Sequence, residues 1–187
     1  MTVREAAARG PRVHLARLTV EDIDDRVVSW FQIEDLTRFY SGRGRRYVRD
    51  EMICEMESAE AAGTLFTYGV FLNDDLRLIG TLRMGPLDRR HRISDMPLII
   101  GERPADSKGL AVEAIRLGNE IAFEIHDIRK LFGGMFEANT AAIRAYSRAG
   151  WVEEGRLIGH YLVDGKPMDR ILYACFNPRY FPTVTAP

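Results

Sequence analysis

The amino-acid sequence predicts a single α+β domain (α/β mixed), built on a mixed, mainly antiparallel sheet with helices on both faces. Three observations carry that expectation. Hydrophobic periods of two residues and of about 3.6 residues alternate along the chain. No internal repeat, low-complexity tract or Gly/Ser linker divides it. The length of 187 residues, 46% of them hydrophobic, suits one core without disulfides or a structural metal. Residues 1–11 read as a flexible N-terminal arm, 12–176 as the domain and 177–187 as a C-terminal tail.

The elements follow in order. His14 to Val20 alternates apolar and polar residues and reads as a strand. Glu21 to Phe31 has acids in its first turn, where the helix dipole favours them, and Ile23, Val27 and Trp30 at helical spacing. Arg49 to Ala62 reads as a second helix. Leu65 to Leu72 and Leu76 to Met84 read as strands joined through Asn73-Asp74-Asp75, and Ile93 to Gly101 as a further apolar strand. From Gly109, one face collects Leu110, Ala114, Leu117, Ile121 and Ile125, an amphipathic helix that must pack on a sheet. Leu131 to Glu137 is a short strand; Asn139 can cap a helix running to Ala149, with Gly150 at its left-handed end. Leu157 to Val163 and Met168 to Phe176 flank Asp164-Gly165, a strong hairpin signal.

Charge and cysteine content exclude several classes. Lys and Arg number 26 against 27 Asp and Glu, so the broad basic field of a nucleic-acid binder is missing. The cations are 23 Arg and 3 Lys, which supplies planar forks suited to phosphate. Cys54 and Cys175 form no C-x-x-C pair, so neither zinc nor a disulfide framework is expected. The opening MTVREAAARGP lacks the apolar centre of a secretory signal, and no run approaches the roughly 18 apolar residues of a membrane span. A cytoplasmic protein without membrane or nucleic-acid partners is expected.

Two segments carry chemistry. Ile99 to Ala111 runs from strand through turn to helix start, and the exposed N–H groups of such a start can hold a phosphate. It lacks the G-x-x-x-x-G-K-[ST] of a nucleotide-binding P-loop, and an ordinary strand-to-helix turn reads the same way. In Asn139 to Trp151, Asn139, Ile143 and Tyr146 share one helical face that can follow an extended ligand or serve as cap and core.

Together these segments resemble the GNAT superfamily of acyl-CoA-dependent N-acyltransferases. The likeness is to the branch of ribosomal-protein, polyamine and amino-sugar acetyltransferases, and it runs from about His14 to Phe176. The family's basic-or-amide-x-x-G-x-G/A motif falls on Asp106-Ser107-Lys108-Gly109-Leu110-Ala111, and its N-x-x-A-x-x-x-Y-x-x-x-G-aromatic segment on Asn139 through Trp151. Further matches are Leu78-Ile79-Gly80-Thr81, Glu113-Ala114-Ile115, Glu154-Gly155, and Asp164-Gly165 with Asp169. The resemblance implies the GNAT fold, a seven-stranded sheet splayed in the middle and flanked by about four helices. It also implies acetyl-CoA (coenzyme A) as cosubstrate, no metal, and a possible homodimer.

By the same resemblance, Met96 to Ile100 splays from Leu131 to Glu137 and the pantetheine arm lies between them. Backbone groups of Leu98, Ile99 and Ile100 would pair with the arm and polarise the acetyl carbonyl. Amides of Ser107, Lys108, Gly109, Leu110 and Ala111 would hold the pyrophosphate, and Asn139, Arg144 and Arg148 would complete the coenzyme site. Asp106 stands where the family has Arg or Gln; it fits if it turns away to cap the helix, with Lys108 offsetting its charge. Pro97 removes one N–H from the splayed strand.

Direct transfer needs a neutral amine, a polarised thioester and a proton for the leaving thiolate. Tyr146 matches the family's tyrosine for the last task. Asp95, where related enzymes carry Glu, either accepts the amine proton or only orients substrate. His160 ranks second as base, and the alternative for it is a packed strand residue. His91 reads as part of a solvated loop, and His14 and His126 carry no functional argument. On the acceptor side, Arg43, Arg45, Arg46 and Arg49 lie among Tyr40 and Tyr47, either a solvated basic loop or a grip on a phosphorylated acceptor. The expected reaction is acetyl transfer to a small-molecule amine, a nucleotide-linked amino sugar or a polyamine. A protein N-terminus and a noncatalytic acyl-CoA-binding module are the alternatives.

Overall fold

The computed structural model describes residues 5–40, 45–104 and 106–183. In order, the elements are β1 (Ala8–Arg9), β2 (Val13–Arg17), α1 (Asp25–Trp30), α2 (Glu34–Thr37), α3 (Arg49–Ala61), β3 (Phe66–Leu72), β4 (Leu78–Met84), β5 (Leu87–Asp88), β6 (Ile93–Asp95) and β7 (Leu98–Ile100). They continue with α4 (Leu110–Glu120), β8 (Lys130–Phe136), α5 (Thr140–Arg148), β9 (Val152–Val163) and β10 (Lys166–Phe176). A π-helical turn, Ile121–Ile125, extends α4.

The strands form two five-membered sheets, ordered β1-β2-β3-β4-β7 and β5-β6-β8-β10-β9. All pairings are antiparallel except β6 with β8. In β2 and β3 the alternation of side chains has apolar residues on both faces. Val13, Leu15, Tyr68 and Val70 join one core cluster with α4, while Ala16 and Phe71 join a second with α1 and α3. Helices therefore cover both faces of the first sheet, as the sequence pattern requires.

The strand read over Ile93 to Gly101 is two strands. β6 pairs in parallel with β8 as far as Asp95 opposite Phe132, and β7 pairs with β4. Between them, at Met96 and Pro97, the chain leaves one sheet for the other, and β8 runs on through Gly133 to Phe136 without that neighbour. This is the splay, and it opens the central cleft. That division, together with the short β1 and β5, raises the strand count above the seven expected.

Both ends need correction. In the N-terminal arm, Ala8 and Arg9 pair with β2, because Ala8 completes the first core cluster at 6% exposure. In the C-terminal tail, the buried Asn177 side chain donates to the Ile128 carbonyl (3.0 Å), and Phe181 packs on Phe176 (5.0 Å). The first helix also breaks into a turn at Val20–Asp22 and then α1, whose cap is Asp24, accepting from the Val27 N–H at 2.9 Å. Among the described residues no helix is long and apolar enough to cross a membrane.

Candidate active site

The cleft is built first from backbone. Arg83 N–H donates to the Pro97 carbonyl (3.0 Å) and Gly101 N–H to the Ile79 carbonyl (2.8 Å), with Ile99 opposite Thr81 between them. In an antiparallel ladder alternate residues turn their polar groups to the same neighbour. Pro97, Ile99 and Gly101 thus face β4, and the N–H and C=O of Leu98 and Ile100 face the cleft. The expectation for three consecutive residues is corrected to these two, because β4 engages the Ile99 backbone. The N–H that Pro97 lacks falls on the β4 side.

A cavity of about 1260 Å³, open mouth included, follows this free edge. Leu98, Ile99 and Ile100 line it from β7, Ser107, Leu110 and Ala111 from the start of α4, and Asn139, Ala142 and Tyr146 from α5. Gly109 caps α4 in the left-handed region (φ 87°), which only glycine adopts readily. The positive end of α4 and its first N–H groups are presented to the cavity, a fit for a phosphate group. Lys108 and Gly109 are exposed and do not line it. Asp106 does not cap the helix; its exposed carboxylate lies 3.7 Å from Arg12. Arg12 also donates to the Lys108 carbonyl (2.9 Å), while Glu113 accepts from the Arg12 and Val13 N–H groups (2.7 and 3.0 Å). Sequence reasoning missed Arg12, which is 96 positions from the loop it holds.

α5 supplies the floor. Asn139 caps it, accepting from the Ala142 N–H (3.2 Å), and lines this cavity and the next. Tyr146 is buried, stacks edge-on against Trp151 (4.9 Å), and donates from its hydroxyl to the Met96 carbonyl at 2.7 Å. Burial, reinforced by the charge of Asp95, pushes the phenol well above its usual pKa, with the Leu98 N–H opposing. Asn119 fixes the arrangement: its amide donates to the Ala149 carbonyl (3.0 Å) and its oxygen accepts from the Trp151 indole N–H (3.0 Å). Arg144 and Arg148 are exposed and line neither cavity; Arg144 donates to the Thr140 hydroxyl, at 3.4 Å.

A second cavity of about 1310 Å³ adjoins the first across Phe39, Tyr40, Leu98, Asn139, Ala142 and Tyr146. Its charged lining residues are Asp95, Arg83 and Arg170. Asp95 Oδ1 accepts from the Met96 N–H at 2.7 Å. Burial raises the Asp95 pKa above the usual carboxylate range; the Met96 N–H, Arg170 and Arg83 act against that rise. Phe136 and Tyr161 stack at 3.7 Å on the same wall. His160 is exposed and outside the cavity; strand alternation turns its neighbour Tyr161 inward instead.

The Arg cluster is likewise not brought here. Arg45 pairs with Glu55, Arg49 donates to the Ile23 carbonyl (2.6 Å), Arg46 is exposed, and Arg43 lies outside the described residues. Sequence reasoning missed Arg83 and Arg170, because the family matches on their strands, Leu78-Ile79-Gly80-Thr81 and Asp169, do not include them. Among the described residues no group of three or more His, Cys, Asp or Glu is placed to hold a metal ion.

Comparisons with known proteins match this geometry. The model of the acetyltransferase (GNAT) domain family matches residues 12–152. The probable N-acetyltransferase YjcK of Bacillus subtilis is 24% identical over 140 residues, 75% of each chain. The spermidine N(1)-acetyltransferase of Vibrio cholerae is 27% identical over 92 residues, 49% of this chain and 53% of that one. Among solved structures, Vibrio cholerae spermidine N-acetyltransferase in complex with CoA and spermine superposes with a TM-score of 0.80 at 19% identity, covering 92% of this chain and 99% of that one. The ribosomal-protein-S5-alanine acetyltransferase of Vibrio fischeri gives 0.76 at 14% identity, covering 92% and 97%. The match over most of the chain, on a sheet splayed at β7 and β8, places this protein in the GNAT acetyltransferase family, as an N-acetyltransferase.

Proposed function

We propose that this enzyme moves the acetyl group of acetyl-CoA directly to the primary amine of a small molecule. The observation that carries the reading is the position of the buried Tyr146 hydroxyl, at the junction of the two cavities. One cavity offers phosphate and amide recognition, the other a carboxylate among aromatic walls. The Leu98 and Ile100 backbone groups and the start of α4, with Ser107, Leu110 and Ala111, hold the coenzyme. Amide donors at the cleft edge polarise the acetyl carbonyl as the amine attacks.

In the transfer, the new N–C bond forms while the C–S bond breaks. Asp95 takes the proton lost by the amine, directly or through water, and Tyr146 gives its proton to the departing sulfur. The raised pKa keeps the phenol protonated through the neutral range, so Tyr146 always enters as the acid. Its own proton is restored from solvent, and the products are the N-acetylated amine and free thiol.

The relatives from Vibrio cholerae and Escherichia coli are named as spermidine N(1)-acetyltransferases, and spermidine and amino sugars are the first acceptors to try. A homodimer is the proposed assembly: β9 is an edge strand whose Ile158 and Leu162 are 88% and 75% exposed. Light scattering of the purified chain tests it. The catalytic reading is tested by thermal stabilisation with acetyl-CoA, then thiol release over a panel of primary amines. Stabilisation with amine-dependent release is expected; stabilisation without release from any amine would favour a binding module.

A further inference from the structure

We propose that the acceptor carries an acidic group, a carboxylate or a phosphate, close to its reacting amine, and that Arg170 is the residue that holds it. The inference rests on the proposed transfer reaction and narrows its substrate class. Three features of the second cavity support it.

The first is the state of Arg170. Among the described residues its buried Nε has no hydrogen-bond partner, and no ion pair joins its guanidinium to a carboxylate. Arg12, Arg17, Arg26, Arg45, Arg77, Arg92, Arg156 and Arg179 by contrast all pair with acids. A sequestered donor on a cation is costly unless something arrives to accept from it. The side chain of Arg83, the other cation of the cavity, makes one hydrogen bond among the described residues, a long one to the Tyr40 hydroxyl at 3.5 Å.

The second is that the chain makes room for this side chain. A Cβ on Gly134 would lie 1.8 Å from Arg170 Nε, and one on Gly133 would lie 3.2 Å from Asp95 Oδ1. Two consecutive glycines of β8 thus leave room, one for a cation and one for an anion, and both charged side chains line the second cavity. The Arg170 guanidinium carbon also lies 6.0 Å from the Tyr161 ring centroid, at the edge of cation–π reach.

The third is the charge balance. One carboxylate, Asp95, faces two guanidinium groups, and the remaining walls are mainly apolar and aromatic, among them Phe39, Pro86, Met135, Phe136 and Tyr161. A polyamine would bring several positive charges to two arginines. An amine with its own anion instead places the amine toward Asp95 and Tyr146 and offers the anion to a planar fork, a match of geometry as well as sign.

The test is thiol release with matched acceptors: phenylalanine against phenylalaninamide, glucosamine 6-phosphate against glucosamine, and spermidine as the cationic comparison. The acidic member of at least one pair is expected to lead by about 10- to 100-fold in kcat/KM, chiefly through KM. Which pair shows it separates carboxylate from phosphate. Arg170→Gln should bring the ratio within that pair close to one, and Arg170→Lys should restore part of it. Stabilisation of each variant by acetyl-CoA reports that it is folded. Equal or better use of the neutral amines or spermidine, or a ratio unmoved by Arg170→Gln, would overturn the proposal. If no amine releases thiol, the transfer reading fails, and calorimetric binding of the same acids to CoA-saturated protein still decides the anion site. Binding lost in Arg170→Gln supports it, and absence of binding to the unaltered protein overturns it.

Discussion

The two walls of the cleft are made from different materials. The wall proposed for the coenzyme draws its polar groups from main chain, at the free edge of β7, the first turn of α4 and the cap of α5, with Leu36, Phe39 and Tyr40 closing it from the α2 side. The acceptor wall is side chain, with Arg83 from β4, Asp95 from β6, Phe136 from β8, Tyr161 from β9 and Arg170 from β10. Backbone recognition tolerates many side chains but demands a particular local geometry, so it leaves a motif. Side-chain recognition needs only that five strands converge, and it leaves no local pattern. On the proposed function, the first wall would take the coenzyme and the second would set the acceptor.

Tyr146 belongs to both walls, and its removal is the largest effect expected. Tyr146→Phe keeps the ring against Trp151 and loses only the hydroxyl. Turnover should fall by about 10²- to 10⁴-fold, as for a lost general acid, with the acetyl-CoA Kd unchanged. Pre-steady-state thiol release and titration calorimetry measure the two. Full turnover in this variant would remove Tyr146 from the chemistry and leave the walls without a shared catalytic group.

Asp95 comes next. The base must be ionised, so activity is lost as pH falls through its pKa, and because burial raises that pKa the loss begins above the ordinary carboxylate range. Asp95→Asn should lower kcat by about 10²-fold and remove this acid limb, leaving only the dependence set by the amine's own ionisation. An acid limb that persists unchanged would assign Asp95 to orientation alone.

The contrast between walls also explains what was legible. The splay, the start of α4 and Tyr146 could be read through the family resemblance, whose motifs are each continuous in sequence; spacing alone left one unbroken strand, an ordinary turn and a cap-and-core helix equally open. Arg144 and Arg148 have suitable chemistry but the wrong angle: Arg144 is two residues beyond the cleft-facing Ala142, about 200° around the helix. His160 fails by one position, since a partly exposed strand does not announce which of two neighbours turns inward. Arg83 and Arg170 had no signal, because their meaning depends on pairing across strands far apart in sequence.

A smaller effect separates the acceptor wall from the rest. Gly134→Ala places a methyl where Arg170 Nε lies, so the guanidinium must leave its seat. The acceptor KM should rise by about 10-fold while the acetyl-CoA Kd holds, because that strand touches only the second cavity. Initial rates varied in each substrate separately resolve the two constants.

The smallest expected effect tests the coenzyme wall from behind. Arg12 ties the loop before α4 through the Lys108 carbonyl and the Asp106 carboxylate, yet it lines neither cavity. Arg12→Ala removes those ties. It keeps the Arg12 N–H bond to Glu113, so β2 stays docked to α4. The tie is half exposed and screened, so loosening it should raise the acetyl-CoA Kd by only about 2- to 5-fold. The acceptor KM should not move, since no part of that loop reaches the second cavity. A parallel rise in both constants would show that the loop and the acceptor wall shift together. The division of the cleft into a main-chain half and a side-chain half would then describe its materials but not its energetics.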